Sequence, residues 1–247
     1  MMRRTVRPDN LMAVVYNKSA AFYDAIYSFK DYRAESARLI ALIAAHKRSR
    51  GRRLLDVACG TGSHLQHLSR QFEAEGLDAS AEQLAIAQMK CPGVLFHRAD
   101  LAEFDLGREF DVVTCLFSSI GYVKTAPRLR LAVANLARHV SSGGVLMVEP
   151  WLLLGSFTPG NIGFRFVDLP NLKISRMEIH CVENNVSVFD EQFMIGTPEG
   201  ITFLNERHEL GLFTREQYVE SFTSLGLATS WDDRGLMGRG LVIGVRP

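Results

Sequence analysis

Residues 54–65 read LLDVACGTGSHL, an apolar run that turns through two glycines into a helical pattern. Leu54, Leu55 and Val57 make a short apolar run of strand length, and Gly60 and Gly62 break it just before SHLQHLSRQF (63–72), whose apolar spacing suits a helix. A glycine-bearing turn from a buried strand into a helix brings backbone close to a ligand. Glycine tolerates positive φ and carries no Cβ, and the helix N-terminus that follows favours negative or polar groups such as a carboxylate. Alone the signal is weak, because many such turns need glycine only for their backbone conformation.

Working outward, strand and helix patterns alternate from Arg53 to Pro150. RLLDVA (53–58), AEGLDA (74–79), VLFHRAD (94–100), DVVTCLF (111–117) and VLMVEPW (145–151) read as strands, with SAEQLAIAQMK (80–90) and RLRLAVANLARHV (128–140) as helices between them. That rhythm predicts an α/β fold, doubly wound around a mainly parallel seven-stranded sheet. Residues 1–52 form a helical N-terminal cap, with Leu39, Ile40, Leu42 and Ile43 at helical spacing and Gly51 as its stop. After the core at 53–150, residues 151–212 change period: KISRMEIHCVE, VSVFDEQFMIG and ITFLNERHEL are strand-like and separated by ENN and TPEG, which predicts an antiparallel insertion. Residues 213–247 return to the core as one helix, capped by Thr214, and two closing strands, all within a single domain.

Two acids strengthen the glycine loop. Asp78 falls at the end of the second strand, 18 residues after Gly60, where a carboxylate can accept both hydroxyls of a ribose. Asp100 ends the third strand on the same edge, where it can meet a base amino group or simply cap a helix. The loop lacks the third glycine of dinucleotide folds, which argues against a nicotinamide reductase.

Composition narrows the partners. A net charge of +1 with 22% charged residues gives no footprint for nucleic acid or an anionic membrane, so a small soluble substrate fits better. Cys59, Cys91, Cys115 and Cys181 show neither a disulfide frame nor zinc spacing, and no stretch approaches the roughly 20 apolar residues of a membrane span, so a cytoplasmic protein is expected. His64, His67, His97, His139, His180 and His208 show no common ligand spacing, and no catalytic metal is expected.

DVACGTG, LDAS, AD, FDVVTCLFSSIGY and GGVLMVEPW, in that order, resemble the motif set of class I S-adenosylmethionine-dependent methyltransferases. The resemblance implies a cofactor site of Asp56, Ala58, Gly60, Gly62, Asp78, Ala79, Asp100, Leu101 and Phe117, with Ser118 near the methionine end. AFYDAIYSFKDYRAES, CLFSSIGY, VEPWLLLGSFTPG, LFTREQY and MGRGLVIGV extend the similarity to the N,N-dimethyltransferases of nucleotide-linked deoxyamino sugars in antibiotic pathways. By that resemblance Tyr23 and Tyr32 close over the cofactor. Tyr16, Arg33, Ser119, Tyr122, Glu149, Trp151, Arg176 and Arg239 face the substrate, with Tyr122, Glu149 and Tyr16 as the catalytic candidates. Arginine suits a diphosphate because its fork stays charged and donates bidentately. Methylation of another small metabolite at oxygen or nitrogen, or cofactor binding without catalysis, are the competing readings. An exposed edge in the insertion is compatible with a homodimer.

Overall fold

The computed structural model describes residues 19–247. Tyr16 and the first part of the expected cap lie outside the described residues. From Ser19 the chain forms a 3-10 turn (Ala20–Phe22), a one-turn helix α1 (Tyr23–Ile26) and the long helix α2 (Tyr32–His46), which starts where the Asp31 carboxylate accepts the Ala34 amide.

The core alternates as β1 (Arg53–Val57), α3 (Leu65–Leu68), β2 (Glu73–Asp78), α4 (Ala81–Lys90), β3 (Leu95–Arg98), β4 (Phe110–Cys115), a 3-10 turn (Ser119–Val123), α5 (Ala126–Arg138) and β5 (Val140–Val148). Next come β6 (Ile162–Leu169), β7 (Leu172–Glu183), β8 (Val186–Thr197) and β9 (Gly200–Gly211); α6 (Arg215–Thr223), β10 (Ala228–Asp232) and β11 (Leu241–Val245) close the chain. The large sheet has seven strands in the order β10-β11-β5-β4-β1-β2-β3, parallel except that β11 runs antiparallel to both neighbours. This is the expected doubly wound sheet.

Both faces of the sheet are buried, and the strand period sorts the side chains between them. Leu55, Val113, Leu146 and Val148 join the layer with Leu129, Val133 and Leu136 of α5. Their immediate neighbours Leu54, Val112, Val145 and Met147 join Leu39 and Ile43 of α2 on the other face. Continuous apolar runs in β1, β4 and β5 are therefore the signature of strands covered on two sides.

Two expectations are corrected. The segment 63–72 is α-helical only over Leu65–Leu68, because β2 must already pair with β1 from Glu73, opposite Arg53. The insertion holds four strands rather than three, in the order β6-β7-β8-β9. The extra strand, β6, is bordered by Gly-, Pro- and Asn-containing segments that read as loop, and its pairing with β7 is what orders it.

Candidate active site

The carboxyl edge of β1, β2 and β4 carries the cofactor cleft. After β1 the loop puts Ala58 at φ 58° and Gly60 at φ 56°, a left-handed path. Asp78 braces it: one carboxylate oxygen accepts the Gly60 amide at 2.8 Å and the other the Ser80 amide at 2.9 Å. Burial raises the Asp78 carboxyl above the usual carboxylate range, against these backbone hydrogen bonds. Behind it, a Cβ on Gly76 would lie 2.6 Å from the Phe96 ring, so the second strand passes too close to β3 for any side chain there.

Two small cavities meet at this edge. One is lined by Tyr23, Ala58, Gly60, Asp78, Gln83, Phe117, Ser119 and Tyr122. Its neighbour adds Tyr32, Asp56 and His64. The residues fit S-adenosylmethionine on a physical ground: the Gln83 Oε1 is buried in this lining with no hydrogen-bond partner among the described residues, an acceptor waiting for a donor. Asp56 is buried and accepts the Thr114 hydroxyl at 2.7 Å, and burial pushes its carboxyl up to about 6.

A larger cavity of about 260 Å³ lies on the other side of Phe117 and Tyr122, which line both spaces. Its far wall is the second sheet, with Arg165, Arg176, Glu178, Glu191 and His208, and its rim carries Trp151 and Arg239. Phe117 and Ser118 sit at φ 50° and 70°, two consecutive non-glycine residues in the left-handed region, which costs on the order of 1–3 kcal/mol each. Glu149 holds this bend by accepting the Phe117 amide at 2.8 Å, and the Ser118 hydroxyl receives Arg239 Nη1 at 2.5 Å. Arg239 also lies over the Trp151 ring, 4.7 Å from its centroid.

The predicted site residues fall into three groups. Tyr23, Tyr32, Asp56, Ala58, Gly60, Asp78, Phe117 and Ser119 line the cofactor cavities, and Tyr122, Trp151, Arg176 and Arg239 line the larger one. Glu149 is wholly buried and lines neither; its place is behind the Phe117 loop, and burial raises its carboxyl above the usual range. Gly62, Ala79, Asp100, Leu101 and Arg33 also line neither. Gly62 packs toward Ala87 of α4, Asp100 caps the Ala102 amide at 2.8 Å, and Leu101 belongs to the core. Ala79 is buried and Arg33 is exposed.

Arg176 is in the cavity but already engaged, with Glu191 at 3.0 Å and Glu178 at 3.2 Å. Sequence reasoning passed over Arg165, which lies 4.0 Å from the Phe29 ring centroid and forms no ion pair among the described residues. It also passed over the buried trio of Lys30, Glu35 and His64, joined at 2.8 and 2.9 Å, in which Lys30 stands 3.9 Å from the Phe117 ring centroid. Burial raises the Glu35 carboxyl, but hydrogen bonds and charge from His64 and Lys30 outweigh it and hold that carboxyl below its usual range.

A seven-stranded sheet with its one reversed strand, and an Asp78-braced glycine loop at its carboxyl edge, are the architecture of a class I S-adenosylmethionine-dependent methyltransferase, and the comparisons with known proteins agree. Residues 54–144 match the methyltransferase domain family. The chain is 40% identical to a dTDP-3-amino-3,6-dideoxy-alpha-D-glucopyranose N,N-dimethyltransferase of Streptomyces fradiae, over 92% of this chain and 90% of that protein. Among solved structures it resembles DesVI of Streptomyces venezuelae, with TM-score 0.87 and 35% identity over 92% of this chain and 98% of that one. It also resembles CalS10, an S-adenosylmethionine-bound amino pentose methyltransferase of Micromonospora echinaspora, with TM-score 0.81 and 35% identity over 92% and 95% of the two chains. The chain belongs to the amino-sugar N,N-dimethyltransferase family and is an S-adenosylmethionine-dependent enzyme.

Proposed function

We propose that this enzyme methylates, twice in succession, the amine of a deoxyamino sugar carried on thymidine diphosphate. The observation that carries the reading is the shared wall: Phe117 and Tyr122 border both the cofactor cleft and a polar cavity whose lining includes Arg165 and Arg239, neither in an ion pair among the described residues. Two fixed guanidinium groups suit a diphosphate, while Arg176 is already balanced by its two glutamates and suits sugar hydroxyls instead.

S-adenosylmethionine supplies the methyl group. The chain's own residues have a positioning task, because the displacement disperses charge and needs mainly alignment in a dry site. Tyr23, Tyr32 and Phe117 exclude water from the cleft, Asp78 and Gln83 offer acceptors to its hydroxyl and amino groups, and Tyr122 meets the acceptor nitrogen. The test is mass spectrometry of thymidine-diphosphate amino sugars incubated with protein and cofactor. Successive gains of one and two methyl groups are expected; an unchanged mass with cofactor bound would return the acceptor to another small metabolite.

Arg239→Ala is expected to raise the apparent KM for the nucleotide sugar about ten- to hundredfold, the loss of one charge-assisted hydrogen bond, while cofactor titration stays near that of the unaltered chain. An unchanged KM would remove Arg239 from the diphosphate site.

The enzyme is proposed to act as a homodimer. One face of the second sheet leaves Ile162, Phe164, Phe166, Met177, Ile179 and Phe203 exposed, with Ile162 opposite Ile179 and Phe164 opposite Met177 on adjacent strands. A contiguous apolar surface of this kind suits self-complementary pairing about a twofold axis. Light scattering should give twice the chain mass and Phe164→Glu should halve it; a monomeric parent protein would refute this. Among the described residues no helix is long and apolar enough to cross a membrane, and all four cysteines are free, which accords with a reducing cytoplasm. Cell fractionation would check that placement.

A further inference from the structure

We propose that Tyr122, His208 and Glu191 form a proton-accepting relay at the acceptor nitrogen, and that this relay is what lets the second methyl transfer follow the first. The inference rests on the amine-methylating reading above. Tyr122 sits on the 3-10 turn after β4, in the wall between the two cavities, and its hydroxyl lies 2.7 Å from His208 Nδ1 on β9. The His208 side chain is 2% exposed, and its ring stacks on Phe189 at 5.2 Å and 15°, which fixes the imidazole plane. Its Nε2 lies 3.4 Å from Glu191 Oε2 on β8, and the other oxygen of Glu191 is held by Arg176 at 3.0 Å.

The negative charge of the carboxylate decides the direction of the Tyr122–His208 hydrogen bond. Glu191 favours the tautomer with the proton on Nε2, so Nδ1 is bare and must accept. The Tyr122 hydroxyl then donates to Nδ1 and turns its lone pairs toward the cavity, where an amine N–H can donate to them. That contact aims the nitrogen lone pair.

The nitrogen lone pair forms the N–C bond as the methyl–sulfur bond breaks, and sulfur keeps that electron pair. The product nitrogen is now a cation bearing an extra proton, and it has no lone pair for a second attack until that proton leaves. It passes to Tyr122 Oη while the phenolic proton passes to His208 Nδ1. The resulting imidazolium faces Glu191 and is later relieved by solvent. The charges around it fit: Glu178 and Glu191 carry one more negative charge than Arg176 offsets, and Glu206 lies within reach of the same ring.

His208, Glu191 and Glu206 also place metal-capable atoms within 4.8 Å of one another. Each of the three residues already has a polar partner, Glu191 in its ion pair with Arg176. Glu206 accepts the Ser19 amide at 3.0 Å and its hydroxyl at 2.6 Å, and His208 Nδ1 faces Tyr122. Tyr122 is thus the catalytic residue, and His208 and Glu191 position and discharge it.

The experiment compares the unaltered chain with His208→Gln and Tyr122→Phe. Glutamine can still accept from the phenol but cannot take up its proton. For His208→Gln, calorimetric affinities for cofactor and nucleotide sugar and the KM should stay near those of the unaltered chain, whereas Tyr122→Phe, which loses its contact with the amine, should keep its cofactor affinity alone. The kcat of the second transfer should fall about a hundredfold near neutral pH, with monomethyl product accumulating. At pH 9, where hydroxide and the solvent deprotonate the product amine, dimethylation should recover. Unaltered product ratios, or a loss that high pH does not restore, would overturn the relay. Absence of any transfer by the unaltered chain would overturn the substrate reading and the relay with it.

Discussion

Asp78→Ala is expected to weaken S-adenosylmethionine binding by about a hundred- to ten-thousandfold, the equivalent of two charge-assisted hydrogen bonds at about 1.5–3 kcal/mol each. The loss has two sources that act together. The carboxylate is the acceptor proposed for the ribose hydroxyls, and it already braces the cradle by taking the Gly60 and Ser80 amides. Alanine removes both, so the left-handed path at Ala58 and Gly60 loses its anchor as well as its ligand contact. Asp78→Asn keeps one acceptor oxygen and should fall between the two. Isothermal titration with the cofactor is the measurement, and an affinity for Asp78→Ala close to that of the unaltered chain would remove this carboxylate from the site.

Glu35→Ala is expected to cost about 3–5 kcal/mol of folding stability, read from urea unfolding, because it strands a buried ammonium. The Lys30 side chain is fully buried, and Glu35 is its carboxylate partner at 2.8 Å. The same glutamate takes His64 Nε2 at 2.9 Å, so a single residue ties the segment before α2 to the helix after the glycine loop. Combining Glu35→Ala with Lys30→Met removes both charges and should restore most of the loss, since a methionine needs no counter-charge. If the double variant is no more stable than Glu35→Ala, the effect belongs to lost packing and not to the stranded charge. Because Lys30 also stands over the Phe117 ring, the single variant should loosen the wall between the two cavities and lower methyl transfer.

The two variants probe features of very different legibility. Asp78 could be read from the sequence because its place follows from a short-range rule: strand, glycine turn, helix, strand, acid. In a parallel sheet every such strand ends at the same edge, so the loop after β1 and the acid after β2 must meet. Asp100 obeys the same rule and still turns inward to cap its own backbone, because the rule locates an edge and says nothing about a rotamer. Gly62 shows the same limit, being glycine for its left-handed backbone at φ 74° and for close contact with Ala87.

Glu35 had no such signal. It occupies one turn of a helix whose apolar residues were legible, and its two partners, Lys30 before that helix and His64 from 29 residues further on, meet it only in the folded chain. Glu149 was legible as an acid on the correct edge, but whether it faces a substrate or a backbone amide depends on the bend at Phe117, which no local pattern announces. Arg176 and Arg165 lie on paired positions of neighbouring antiparallel strands, yet one is balanced by Glu178 and Glu191 and the other is not.

The doubly wound sheet, its glycine loop, the acid of the second strand and the antiparallel insertion were legible in the order of residues, because period, turn chemistry and chain order are local and additive along the chain. Which side chains share a cavity, and which are engaged with one another, follows from long-range packing. Tyr122 and His208 meet across 86 residues, and Ser19 and Glu206 across 187. Such pairings are set by the register of strands and the packing of the insertion over the core, and a hydrogen bond between them leaves no periodic trace in the order of amino acids.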